Sequence, residues 1–198
     1  MRFDKIVLPG VVLALCLSAS AQSGLAASRF GLDHGQTAVM EIGLNYTFLH
    51  ANAPPSQCGC FSLNGGGGTL VVNAPHRISL VADLFAAHVN NVNATTQNIT
   101  LFNYLTGLRY SYRTSHRFTP YAEVLAGGST ELSNYTYVQG VNAFAASGGA
   151  GANMVLSRHI GWTILEADYL YSRLPNNSNN HQSDLRVISG IIFRFGPR

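Results

Sequence analysis

The sequence predicts an all-β fold, an eight-stranded antiparallel up-and-down transmembrane β-barrel. Three observations carry that prediction. The chain opens with an export signal, it holds too little charge for a wet exterior, and its apolar residues alternate with period two between connections of unequal length.

Arg2 and Lys5 form a basic start, partly offset by Asp4, and an apolar run from Ile6 to Leu17 follows. Ala19-Ser20-Ala21 then supplies small residues for cleavage before Gln22. A run of this length is shorter than the roughly 20 residues a spanning helix needs and has the form of a secretory signal. Residues 1–21 are expected to be a signal peptide, 22–37 a short periplasmic segment and 38–198 the barrel. Lipidation at Cys16 is disfavoured, because Leu15 stands where a small residue would precede the acylated cysteine. No later run approaches 18 apolar residues, so a transmembrane helix is not expected.

Of the 198 residues, 46% are hydrophobic and only 11% charged, against roughly 25% charged in an average soluble protein. The mean hydropathy is +0.12. Lys5 is the only lysine. Twelve Lys and Arg against nine Asp and Glu leave +3, which excludes the basic stripe of a nucleic-acid binder. Without Arg2, Lys5 and Asp4, ten Arg oppose eight acidic residues, a formal charge of +2. A soluble lipocalin-like barrel is apolar inside and charged outside, and a small membrane barrel is the inverse. So little charge suits a narrow lumen better than a solvated exterior. The expected location is therefore an outer membrane, with a soluble secreted barrel as the alternative.

The first strand follows from Met40, Ile42, Leu44, Tyr46 and Phe48 on one face, with Glu41, Gly43, Asn45 and Thr47 on the other. The last follows from Leu185, Val187, Ile191, Phe193 and Phe195 opposite Arg186, Gly190 and Arg194. Between them, alternation predicts strands near 61–73, 77–88, 99–113, 118–129, 142–157 and 159–172. Register is least determined along Gly65 to Gly68. The connections alternate long and short. Residues 50–60, 90–98, 130–141 and 174–183 are long, whereas 73–77, 113–117 and 157–159 are short. Outer-membrane barrels have short periplasmic turns and longer extracellular loops, so both termini are expected in the periplasm.

From Met40 to Phe195 the chain resembles the small outer-membrane β-barrel domain proteins of the OmpA/OmpX type. The resemblance lies in Leu80-Val81-Ala82-Asp83, Thr106-Gly107-Leu108-Arg109-Tyr110-Ser111, Phe118-Thr119-Pro120-Tyr121, Gly148-Gly149-Ala150-Gly151, Ala167-Asp168-Tyr169 and Gly190-Ile191-Ile192-Phe193-Arg194-Phe195. It implies an eight-stranded barrel inserted by the outer-membrane assembly machinery through its last strand. The family's insertion signal usually ends on an aromatic residue, whereas Gly196-Pro197-Arg198 follows Phe195 here.

If the apolar faces meet lipid, Glu41, Asp83, Arg109, Glu123, Glu166, Asp168, Arg186 and Arg194 point into the lumen. An eight-stranded barrel has just enough interior for side chains to fill it. Charges confined there must pair, because an unpaired buried charge costs several kcal/mol. The expectation is a lumen plugged by a charge network, with a narrow ion or proton path as the alternative.

Cys58-Gly59-Cys60 lies in the first long loop, on the oxidising side of export. Two ligands are too few for a closed zinc site, so a local disulfide is favoured over free thiols or copper binding. His181 and Ser183, with Asp184 or Glu166 as orienter, give an alternative reading as a membrane-embedded lipid hydrolase. Their neighbours do not match the lipid A deacylase motif. The expected role is thus structural or loop-mediated binding, without catalysis, cofactor or metal. The expected partners are outer-membrane lipid and an unidentified loop ligand, without nucleic acid, for a monomer.

Overall fold

The computed structural model describes residues 38–51, 61–74, 76–90, 92, 98–113, 117–133, 139–174 and 180–196. The expected signal peptide, the 22–37 segment and the Cys58–Cys60 motif lie outside them. Eight strands form in chain order: β1 (Met40–Ala51), β2 (Phe61–Asn73), β3 (Ile78–Val89), β4 (Ile99–Ser111), β5 (Phe118–Ser133), β6 (Gln139–Val155), β7 (Ile160–Ser172) and β8 (Gln182–Phe195). Each is antiparallel to its neighbour, and β1 pairs with β8, so the sheet closes into a barrel.

The strand positions match the alternation in the sequence, and several extend further toward the long loops. β5 continues to Ser133 and β6 begins at Gln139, so much of the expected 130–141 loop is strand. The Gly-rich stretch also has a defined register, with Gly65 opposite Thr47 and Ala87, and Gly68 opposite Leu44 and Leu84.

The outer face is apolar. Leu44 is 60% exposed and Val124 70%, and Leu80, Leu108, Leu185 and Ile191 are also exposed. Such a continuous apolar exterior is stable in lipid, not in water.

The inner face is packed, and much of it is apolar too. Leu49, Leu63, Phe85, Leu101, Leu105, Leu125, Leu170 and Leu174 form one buried cluster with Val71 and Val81. Alternation with apolar residues outward does not anticipate this. β3 and β4 carry large apolar side chains on both faces, as in the successive pairs Leu80-Val81 and Leu84-Phe85.

Gly67 shows how closely the inner surfaces approach. A Cβ there would lie 2.7 Å from Phe85 Cβ and also collide with the Leu84 carbonyl oxygen. Overpacking of this kind costs about 1–3 kcal/mol. Gly67→Val is therefore expected to lower the urea-unfolding midpoint clearly, whereas Gly68→Val, whose Cβ would lie 3.5 Å from the Gly43 carbonyl oxygen, changes it little.

Candidate functional site: the lumen charge network

The eight charged residues expected in the lumen all lie on the inner face. Alternation places Glu41 on β1, Asp83 on β3, Arg109 on β4, Glu123 on β5, and Arg186 and Arg194 on β8. Glu166 and Asp168 on β7 need one further device. The β7 register shifts between Thr163 and Glu166, so Thr163 and Glu166 both face inward although they are three residues apart. This bulge turns Trp162 outward while keeping both carboxylates inside.

Arg186 is the centre of the network. Its side chain is fully buried, and its guanidinium contacts Asp83 on β3 and Asp168 on β7. Nε donates to Asp168 Oδ2 at 3.0 Å. The guanidinium carbon lies 4.6 Å from the centre of the Phe85 ring. β8 does not pair with β3, so this side chain spans the lumen. Arg109 lies 2.6 Å from Glu123 Oε2 and 3.5 Å from Glu166 Oε2, and stacks 3.9 Å from the Tyr121 ring centre. The Tyr121 hydroxyl donates to Glu166, and Arg186 lies 3.8 Å from the other oxygen of Glu166. Glu166 thus joins the two arginines in one network. The Arg194–Glu41 pair, at 3.2 Å, lies nearer the short-turn end.

Neutral side chains extend this network. Asn45 Nδ2 donates to Thr69 Oγ1 at 2.7 Å, and Thr69 donates to Asp83 Oδ1 at 3.0 Å. A relay of contacts therefore links β1, β2, β3 and β8. A polar cavity of about 10 Å³ borders Glu41, Asn45, Thr69, Arg109, Thr163 and Glu166, between the Arg194–Glu41 pair and the main network.

Sequence reasoning missed Tyr121, Asn45 and Thr69 as participants, and it did not place Asp184 in the lumen. Asp184 is buried on the inner face, two residues from Arg186, so alternation could have found it. Tyr121 shares the face of Glu123, but its aromatic ring reads as lipid-facing by composition.

Oxygens of Glu123, Glu166 and Asp168 lie within 4.8 Å of one another, close enough to surround a cation. Arg109 and Arg186 already place positive charge against these carboxylates. Two buried arginines here face four carboxylates, Asp83, Glu123, Glu166 and Asp168, so the network is acid-rich and depends on both cations.

His181 and Ser183 lie beside outward-facing tyrosines. The His181 ring stacks on Tyr171, with centroids 6.0 Å apart, and Ser183 Oγ accepts a hydrogen bond from the Tyr169 hydroxyl at 2.6 Å. Both tyrosines lie on the outer face, whereas Asp184 and Glu166 are buried on the inner one.

Comparison with known proteins agrees with this architecture. A family profile described as "Outer membrane protein beta-barrel domain" matches residues 10–188. The fold resembles Neisserial surface protein A, with a TM-score of 0.62 and 12% identity over 80% of this chain and 98% of that one. It resembles Ail, the attachment invasion locus protein of Yersinia pestis, with a TM-score of 0.57 and 12% identity over 80% of this chain and 99% of that one. OprG from Pseudomonas aeruginosa gives a TM-score of 0.51 and 12% identity over 82% and 98% of the two chains. No curated protein matches the sequence. With nearly its whole length matched and a closed eight-stranded barrel apolar outside, the chain belongs to the outer membrane protein beta-barrel domain family, and its place is the outer membrane.

Proposed function

We propose that this protein is a closed barrel that serves as a structural scaffold and presents its long loops as a contact surface, rather than acting as a porin or an enzyme. The observation that carries the reading is Arg186. Its fully buried side chain reaches carboxylates on β3 and β7, two strands that do not pair with each other. A side chain held across the lumen occupies the path a solute would take. The apolar cluster adds a second obstruction, because on β4, β5 and β7 its leucines lie on the long-loop side of Arg109, Glu123, Glu166 and Asp168. The polar cavity, about 10 Å³, has room for roughly one water and is far below the range of small-molecule sites. The loops at 52–60, 90–98 and 134–138 contain no charged residue, and 173–181 contains Arg173 and His181, so a partner would be engaged mainly by neutral polar and apolar contacts.

Single-channel recording tests the reading. Purified wild-type protein in planar bilayers is expected to remain nearly silent. Steady, large currents would show an open lumen and overturn the proposal.

A further inference from the structure

The charged side chains outside the lumen are sorted along the barrel axis. The three short connections, 74–77, 112–117 and 156–159, contain Arg77, Arg113, Arg117 and Arg158 with His76, His116 and His159, and no acidic residue. The four long connections, 52–60, 90–98, 134–138 and 173–181, contain Arg173 and His181 alone among Arg, Lys, His, Asp and Glu.

Backbone hydrogen bonds seat Arg77, Arg117 and His159 at one rim. The Arg77 carbonyl accepts from Ser111 N–H at 2.8 Å, which puts Arg77 beside the end of β4 and Arg113. The Arg117 carbonyl accepts from Val155 N–H at 2.8 Å, beside the end of β6 and the turn that carries Arg158. The His159 carbonyl accepts from Arg194 N–H at 2.9 Å. Arg113 is half-buried and donates to Asn73 Oδ1 at 2.7 Å. Burial lowers its pKa, and the positive charges of Arg194 and Arg77 act in the same direction, against Glu41. Guanidinium groups remain protonated regardless, so like charges are crowded here.

The level of the collar is set by its neighbours. Ile78, Tyr112, Phe118, Leu156, Ile160 and Phe195 point outward from the same rim with exposures between 41 and 57%. Arg77 precedes Ile78, Arg113 follows Tyr112, and Arg117 precedes Phe118. The Arg77 guanidinium carbon also lies 5.3 Å from the centre of the Tyr112 ring. Positive charge beside outward aromatic and aliphatic side chains occupies the boundary where hydrocarbon meets headgroups.

We infer that the short-turn rim is a phosphate-binding collar for anionic phospholipid headgroups of the periplasmic leaflet. The leaflet assignment rests on the barrel orientation, with short turns in the periplasm. The chemistry is complementary: fixed guanidinium groups donate to phosphate oxygens, and the aromatic and aliphatic residues contact the adjoining acyl chains. The opposite rim, with Arg173 as the one Arg of its connections, has no equivalent collar.

The mature protein would be reconstituted in vesicles containing equal amounts of phosphatidylcholine and phosphatidylglycerol, and its retained lipid identified by native mass spectrometry. Phosphatidylglycerol is expected to be enriched about five-fold, the effect of roughly one well-placed cation near an anionic surface. The enrichment should fall toward parity in high salt and in the quadruple variant Arg77→Gln, Arg113→Gln, Arg117→Gln and Arg158→Gln, but persist in Arg173→Gln. Because Arg113 is partly buried, the double variant Arg117→Gln with Arg158→Gln, both exposed positions, is measured beside it and should lose part of the enrichment. Heat-modifiable gel mobility verifies that each barrel is folded. Equal retention of the two lipids by folded wild type, or unchanged enrichment in both variants, would overturn the collar. Orientation is read separately with Arg158→Cys in a background of Cys58→Ser and Cys60→Ser. This cysteine should react with an impermeant reagent only after the outer membrane is opened. Labelling on intact cells would overturn the leaflet assignment even where the lipid preference remains.

Discussion

Arg186→Ala is expected to lower the unfolding free energy by about 3–5 kcal/mol, the cost of leaving buried partner charges uncompensated. The side chain is completely enclosed, and Asp83 and Asp168 both depend on it. Water cannot replace it freely, because Phe85, Leu49 and Leu170 also occupy the interior. Reversible unfolding in urea, followed by tryptophan fluorescence and gel mobility, measures the loss. The effect should come from stranded carboxylates rather than lost volume alone. Arg186→Met combined with Asp83→Asn and Asp168→Asn removes the charges on both sides and should recover a substantial part of the stability. Failure of the triple variant to exceed Arg186→Ala would mean that the network acts mainly through packing. A wild-type-like single variant would remove the network from any stabilising role.

How much of this was legible in the sequence follows from the geometry of strands. The period of two is so strong from Met40 to Phe48 that lipid and lumen faces separate by parity alone. Parity also brings Glu41, Asp83, Arg109, Glu123, Arg186 and Arg194 inside. It does not determine which charges meet. Arg186 finds Asp83 across the lumen, a contact between strands far apart in the sheet, and no local spacing encodes it. Nor does parity account for β7, where alternation from Trp162 would turn Glu166 outward if the bulge did not intervene. The apolar part of the lumen was equally hidden. Phe85 and Leu101 share the parity of Asp83 and Arg109, yet their apolar side chains read as lipid-facing by composition; in the closed sheet they fill the lumen on the long-loop side of those charges. Parity determines a side; closure determines a neighbour.

Leu44→Arg is expected to impair membrane assembly far more than Asn45→Arg, although the positions are adjacent. Leu44 is 60% exposed on the outer face of β1, among the apolar side chains that would meet hydrocarbon. An arginine near the bilayer midplane on that face costs about 2–4 kcal/mol. Asn45 faces the polar cavity with Glu41 and Glu166, where an added guanidinium meets carboxylates instead of lipid. Its penalty is steric, because the space is small and Asn45 already donates to Thr69. The two variants would be refolded into vesicles of matched thickness, and the folded fraction read from heat-modifiable mobility. The same comparison between Ile191→Arg and Gly190→Arg is less clean, because a Cβ at Gly190 would collide with the Leu44 carbonyl and the Asn45 side chain. Position 44 against 45 is therefore the decisive pair. If Asn45→Arg proves the more damaging, the apolar face at Leu44 does not lie against hydrocarbon, and the assignment of outer and inner surfaces to lipid and lumen fails.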